Sequence, residues 1–218
     1  MKKIIFILSL QLLIFSASAQ KGRMLIGVFT DMWQDVPATT SIKSLSPGVD
    51  IYLMQPYQFG KSKMSFAFGL GITSHNMHFD SFLSSDSSGK TVFNKIPEKI
   101  GTKDINYSKN KLSVSYLGIP LELRFTANKL RLAIGARAGY LINSKTKYVG
   151  DDYIDLTNDR IKIKIKDVKN LNNIVYGGTA RIGFKKFNLA GYYDLSTLFN
   201  KDMDLLTTPI SIGIMMVL

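Results

Sequence analysis

The chain of 218 residues contains no cysteine, a single tryptophan and two histidines. Without thiols there is no disulfide framework and no thiolate metal site, so packing and hydrogen bonding must supply the stability. Beyond Gln20 no apolar run reaches the length of a membrane-crossing helix. A membrane role would therefore require a closed barrel, because only helices and barrels satisfy every backbone polar group in lipid. No phosphate-binding loop, zinc motif or dinucleotide fingerprint occurs, and no cofactor or metal is expected.

The one long apolar run comes first. Lys2 and Lys3 precede "IIFILSLQLLIF", and "SASA" places small residues before Gln20. This is the layout of a secretory signal peptide over residues 1–19, leaving a single domain over residues 20–218. An uncleaved anchor is the alternative, for which the run is short. No cysteine follows the run, so the lipoprotein route is closed. The formal net charge is +12. An exported protein seldom meets nucleic acid, so the counterpart of that charge is an anionic outer surface such as lipopolysaccharide phosphates.

Period-2 alternation recurs along the chain and the helical period does not. It predicts strands near 23–33, 47–57, 63–78, 112–126, 130–144, 173–184, 187–197 and 207–218. The connections sort themselves: "QFGKS", "ANK" and "KK" are tight, whereas those between them are long, including Phe79 to Lys111 and Lys145 to Asn172. Alternating short and long loops are the mark of an outer-membrane barrel, with periplasmic turns and larger extracellular loops.

Each strand has one greasy face and one face of small or charged residues. Met64, Phe66, Phe68, Leu70 and Ile72 oppose Ser65, Ala67, Gly69, Gly71 and Thr73. An inward apolar face, as in a soluble lipocalin-like binder, would leave Gly, Ala and isolated Arg in water. The lysines avoid mid-strand positions, as lipid exclusion requires. The expected fold is all-β, an eight-stranded antiparallel up-and-down transmembrane β-barrel in a Gram-negative outer membrane.

The second face gathers Asp31, Asp50, Glu122 and Asp194 with Arg124, Arg131, Arg137 and Arg181. In a narrow lumen these charges must pair, and the planar guanidinium pairs bidentately with carboxylates. Eight strands leave an interior that side chains fill, so a plugged barrel is expected, with a small pore as the alternative. Pro120 cannot donate to a ladder, and the bulk changes face between Tyr116 and Leu117. Both features suggest a β-bulge close to Tyr116 to Pro120.

"YLGIPLELRF" followed by "LRLAIGARAGYLINSK" resembles the central hairpin of the PorT-like family of small outer-membrane β-barrel proteins. The resemblance implies an eight-stranded barrel of the outer membrane. Such barrels often end in an aromatic residue, whereas Leu218 closes this chain.

Candidate chemistry is sparse. His75 and His78 fall on opposite strand faces, which argues against a shared metal. Ser74, Asn76, His78 and Asp80 share the outward face near the rim, the place for a lipid-modifying enzyme or simply a polar cuff. In "RIKIKIKD" Lys162, Lys164 and Lys166 alternate with isoleucines, forming a basic comb in water with Ile packed on a neighbouring hairpin. Asp151, Asp152 and Asp155 form an acidic loop without regular calcium-ligand spacing. The reading that emerges is a non-enzymatic barrel with a charge-filled lumen. It sits in outer-membrane lipid and lipopolysaccharide, and its long loops serve as the surface for a protein partner.

Overall fold

A computed structural model describes residues 24–43, 45–154, 159–200 and 205–218; the segment read as a signal peptide lies outside them. In chain order, β1 (Met24–Gln34), β2 (Pro47–Gln58) and β3 (Met64–His78) are followed by the short strands β4 (Ser81–Ser85), β5 (Thr91–Lys95), β6 (Lys99–Ile100) and β7 (Lys103–Asp104). Two long strands follow, β8 (Tyr107–Ala127) and β9 (Leu130–Asp151), and then β10 (Arg160–Lys166). The chain ends with β11 (Ile174–Phe184), β12 (Phe187–Asp194) and β13 (Thr208–Val217).

Eight of these strands, β1, β2, β3, β8, β9, β11, β12 and β13, pair antiparallel in a closed ring, with β13 returning to β1 and β8 to β9. The outward faces carry bulky apolar side chains around the ring, among them Val28, Ile51, Phe68, Leu121, Ile134, Ile182, Leu189 and Ile214, all exposed. An apolar belt of this extent in a closed barrel is what a lipid bilayer covers.

The short-turn end is built from residues that accept positive φ. Asn128 at +53° joins β8 to β9, and Lys185 at +55° joins β11 to β12. The two turns are tied together, Lys185 N donating to Lys129 O at 2.8 Å.

The opposite end is more structured than loops alone. β8 begins at Tyr107 and β9 continues to Asp151, so 107–111 and 145–151 are strand where the sequence suggested loop. These extensions pair with each other, and β10 takes over the free side of β9 from β11. Their lysines and short polar residues hid the strand signal, because no lipid imposes alternation there.

The expected bulge occurs beside Tyr116, in the β8–β9 ladder, with its extra residue on β9. β8 keeps its even-numbered residues inward from Asn110 to Arg124. Bulk changes face because Leu112, Val114 and Tyr116 pack inward in an apolar cluster, whereas Leu117 to Phe125 face outward. The register shift falls between Ser115 and Tyr116, whose partners are Asn143 and Leu141, so the extra residue, Ile142, belongs to β9. Pro120 causes no shift: pairing with β3 skips from Phe68–Leu121 to Gly71–Gly118, while pairing with β9 runs on through Pro120–Arg137. The missing N–H is a local gap in one ladder.

Candidate functional site

The inward residues fall into apolar clusters and polar networks. Towards the short-turn end, Leu25, Tyr52, Met54, Ala67, Met215 and Val217 pack together from β1, β2, β3 and β13. Beside them, β8 and β11 supply charge and β12 a neutral amide. Arg181 grips Glu122 with two bonds, Nε to Oε1 at 2.9 Å and Nη2 to Oε2 at 2.6 Å, and Arg124 Nε donates to Oε2 at 2.7 Å. All three are buried. Arg181 also donates to Asn188 Oδ1 at 3.3 Å.

A second network occupies the middle of the barrel around Arg137 of β9. Its Nη1 donates to Asp50 Oδ1 and Thr73 Oγ1 at 3.3 Å and to Tyr52 Oη at 3.1 Å, and its guanidinium lies 3.5 Å over the Tyr192 ring. Thr73 bonds Asp50 as well. Arg137 Nη2 faces His75 Nε2 at 3.3 Å, and the other ring nitrogen of His75 meets Asp31 at 3.0 Å. Ser211 donates to Asp31 at 2.6 Å, and Tyr192 donates to Asp194 at 2.5 Å.

Of the eight charged residues singled out in the sequence, Glu122, Arg124 and Arg181 meet in one group, and Asp31, Asp50, Arg137 and Asp194 line the other. Arg131 lies near the first group but, among the described residues, makes no ion pair; it is half-buried. His75, Tyr52, Thr73, Tyr192, Ser211 and Asn188 were missed, although each lies on the same inward parity. Their side chains are not marked out in the sequence by a carboxylate or guanidinium in an apolar strand; they become partners of the charged residues only through the pairing of distant strands.

At the long-loop end Met77, Phe79, Phe93, Leu112, Val114, Tyr116, Leu171, Val175, Leu198 and Phe199 close the interior. A space of about 50 Å³ remains among the mid-barrel side chains, lined by Asp50, Tyr52, Glu122, Arg137 and Arg181. That is room for roughly one or two waters.

Outside the barrel a third cluster, Ile96, Ile105 and Tyr148 with Phe82, Ile100, Tyr107, Tyr153, Ile161 and Ile163, joins the β4–β5 hairpin to the sheet β8–β9–β10. The Tyr148 hydroxyl donates to Asp151 O at 2.8 Å, and burial, with Tyr153 and Asp151 nearby, pushes its pKa up to about 12. The comb of Lys162, Lys164 and Lys166 stands on the other face, opposite Val149, Lys147 and Lys145.

In the outward polar row, Ser74 and Asn76 are taken up in structural bonds. Ser115 Oγ donates to Ser74 Oγ at 3.1 Å, and Asn76 Oδ1 accepts from Lys111 Nζ and Ser113 Oγ, both at 2.7 Å. His78 faces Lys111 in the register, and burial, together with Lys111, Lys43 and Lys109, lowers its pKa. Ser74 and His78 stand four residues apart on one strand, about 13 Å, with no bond between them. In the acidic loop, Asp151 Oδ2 accepts from Asn106 N and Asp152 Oδ1 from Ile154 N, both at 2.9 Å. Asp155 lies outside the described residues, among which no group of three potential metal ligands gathers.

A closed ring of eight antiparallel strands with a lipid-facing exterior defines an outer-membrane β-barrel. The chain belongs to the outer membrane protein beta-barrel domain family, whose model matches residues 24–200. No curated protein matches the sequence. Among solved structures, the chain is similar to the attachment invasion locus protein Ail of Yersinia pestis, solved with the heparin analogue sucrose octasulfate. The two share 12% identity, with 91% of this chain and 99% of that one covered, at a TM-score of 0.35. It is also similar to a triple mutant of Rhodopseudomonas blastica porin, at 11% identity with the same coverage and a TM-score of 0.21. At these scores neither likeness bears on the site.

Proposed function

We propose that the protein is a non-enzymatic, non-conducting barrel exported by residues 1–19 to the outer membrane of a Gram-negative bacterium, where it acts as a scaffold. Its working part is the extramembrane structure formed by β4, β5, β10 and the upper halves of β8 and β9, which offers a surface to a partner at the cell exterior. Within its family, the resemblance of "YLGIPLELRF" and the strand after it to the PorT-like hairpin supports reading the chain as a relative of those barrels. The observation that carries this reading is the contrast between the two regions. Paired charges and apolar clusters fill the interior, leaving about 50 Å³ among the mid-barrel groups. Meanwhile β8 and β9 run for 21 and 22 residues, about twice what a tilted transmembrane strand requires. The extra length builds a sheet with its own core and serves no purpose in crossing lipid.

Purified protein in planar bilayers tests the closed interior, and a flat current trace is the expected result. Regular current steps would replace the scaffold reading with a pore.

A further inference from the structure

The outward face of the extramembrane sheet carries seven lysines from three strands. Lys111 of β8 stands opposite Lys147 of β9, which stands opposite Lys164 of β10; Lys145 opposes Lys166; Lys109 and Lys162 both oppose Val149. Like charges directly across a ladder destabilise a sheet, and here one row holds three in succession. Among the described residues none of the seven forms an ion pair, and the polar contact of Lys111 is to the neutral Asn76. The carboxylate on this face, Asp151, sits at its far end opposite Arg160 and is engaged by Asn106 N. Burial and the neighbouring Lys109, Lys145 and Lys147 lower the Lys111 pKa; desolvation and Lys109, Lys162, Lys164 and Lys145 do the same to Lys147.

The placement of this face matters as much as its charge. It continues the surface that carries the exposed Leu117 and Ile119 on β8 and Tyr140 and Ile142 on β9. Lys145 comes three residues after Ile142, about 10 Å along the strand. The lysines therefore begin where the apolar belt ends and point sideways, over the leaflet that surrounds the barrel. The opposite face, with Ile161 and Ile163, is occupied by the aromatic cluster around Tyr148.

We propose that this face binds the phosphate groups of glycolipids in the surrounding outer leaflet, the seven ammonium groups bridging phosphates of neighbouring lipid molecules. The inference rests on reading β8–β9–β10 as extramembrane. A lysine offers three rotatable donors on a flexible stem, which suits an array of mobile phosphates better than one fixed anion. Bound phosphates would also offset the repulsion within the Lys111–Lys147–Lys164 row.

The test uses the full chain folded in detergent and titrated with bis-phosphorylated lipid A in mixed micelles, counting lipid A retained per barrel. Wild type is expected to retain it at low ionic strength and to release it as salt rises. The triple variant K111Q/K147Q/K164Q is expected to bind about a hundredfold more weakly, from the typical contribution of a lysine at an anionic membrane surface. Lipid A stripped of its phosphates should not be retained. Equal retention by the variant, or indifference to the phosphates, overturns the proposal; so does a preference for soluble inorganic polyphosphate over micellar lipid A. The variant removes a like-charge row, so it should unfold at or above the wild-type temperature, which separates lost binding from lost folding. The underlying reading is checked on intact cells with Ser87→Cys, the sole thiol in that chain, and an impermeant maleimide. Labelling without lipid retention removes the lipid proposal alone, and failure to label removes both.

Discussion

Glu122 of β8 and Arg181 of β11 meet inside the barrel through two parallel hydrogen bonds, with a second guanidinium, Arg124, on the same carboxylate. β9 lies between their strands in the wall, so the pair braces strands that share no ladder. A single carboxylate thus compensates two buried cations.

Glu122→Gln leaves Arg124 and Arg181 buried with no carboxylate in reach. Breaking a buried ion pair from one side costs about 3–5 kcal/mol. The folded, SDS-resistant form should convert to the unfolded band at a clearly lower temperature in gel-shift assays. An unchanged conversion temperature would mean that water already screens the group.

Two glycines give opposite expectations. A Cβ on Gly135 would run into the Leu121 carbonyl, whereas one on Gly178 would come no nearer than 4.0 Å, to the Gly135 carbonyl oxygen. Gly135→Ala should therefore yield little heat-modifiable protein, and Gly178→Ala should fold like wild type. Equal behaviour of the two would contradict the inward and outward assignment of β9 and β11.

Pro120→Val puts an amide back into the gap between β3 and β8. The gained bond is worth about 1 kcal/mol, partly cancelled by the unfolded-state freedom that proline removes. Stability should change little, while hydrogen exchange should show a protected amide at position 120. A freely exchanging amide there would mean that the two strands are splayed at this level.

His78 titrates with a pKa lowered by burial and by Lys111, Lys43 and Lys109. The unfolded chain then binds the proton more readily than the folded one, so stability is full above about pH 6.5 and declines as pH falls through the lowered pKa. Replacing His78 by Gln should flatten that part of the profile in thermal unfolding between about pH 7 and 5. A profile unchanged by the substitution would assign the acid sensitivity to other groups.

The membrane-crossing part of the fold was legible because lipid and a narrow interior impose opposite chemistry on alternate residues. In β3, Phe66, Phe68 and Leu70 face out and Ala67 and Gly69 face in, as period-2 alternation demands. The extramembrane halves of β8 and β9 were not legible, because Lys145, Thr146 and Lys147 face solvent or a small local core and obey no such alternation. The basic comb was visible in "RIKIKIKD", but its extension to Lys111 and Lys147 depends on pairing between residues far apart in the chain. The same holds for the polar network: Asp31 and Arg137 announce themselves as charges in apolar strands, while the roles of His75 and Tyr192 emerge only once the ring is closed.

Strand β13 pairs with β1 along its length, from Leu25–Val217 to Gln34–Thr208. The seam therefore joins the first and last barrel strands of the chain, and every other strand must exist before it can form. Until Thr208 to Val217 have been made and delivered, β1 and β12 each keep an open edge, and Asp31 has His75 but not Ser211 to bond. Closure is thus necessarily a late event. A chain cut short before β13 has no partial barrel to fall back on, only two sticky edges awaiting a chaperone, an assembly machine or an aggregate.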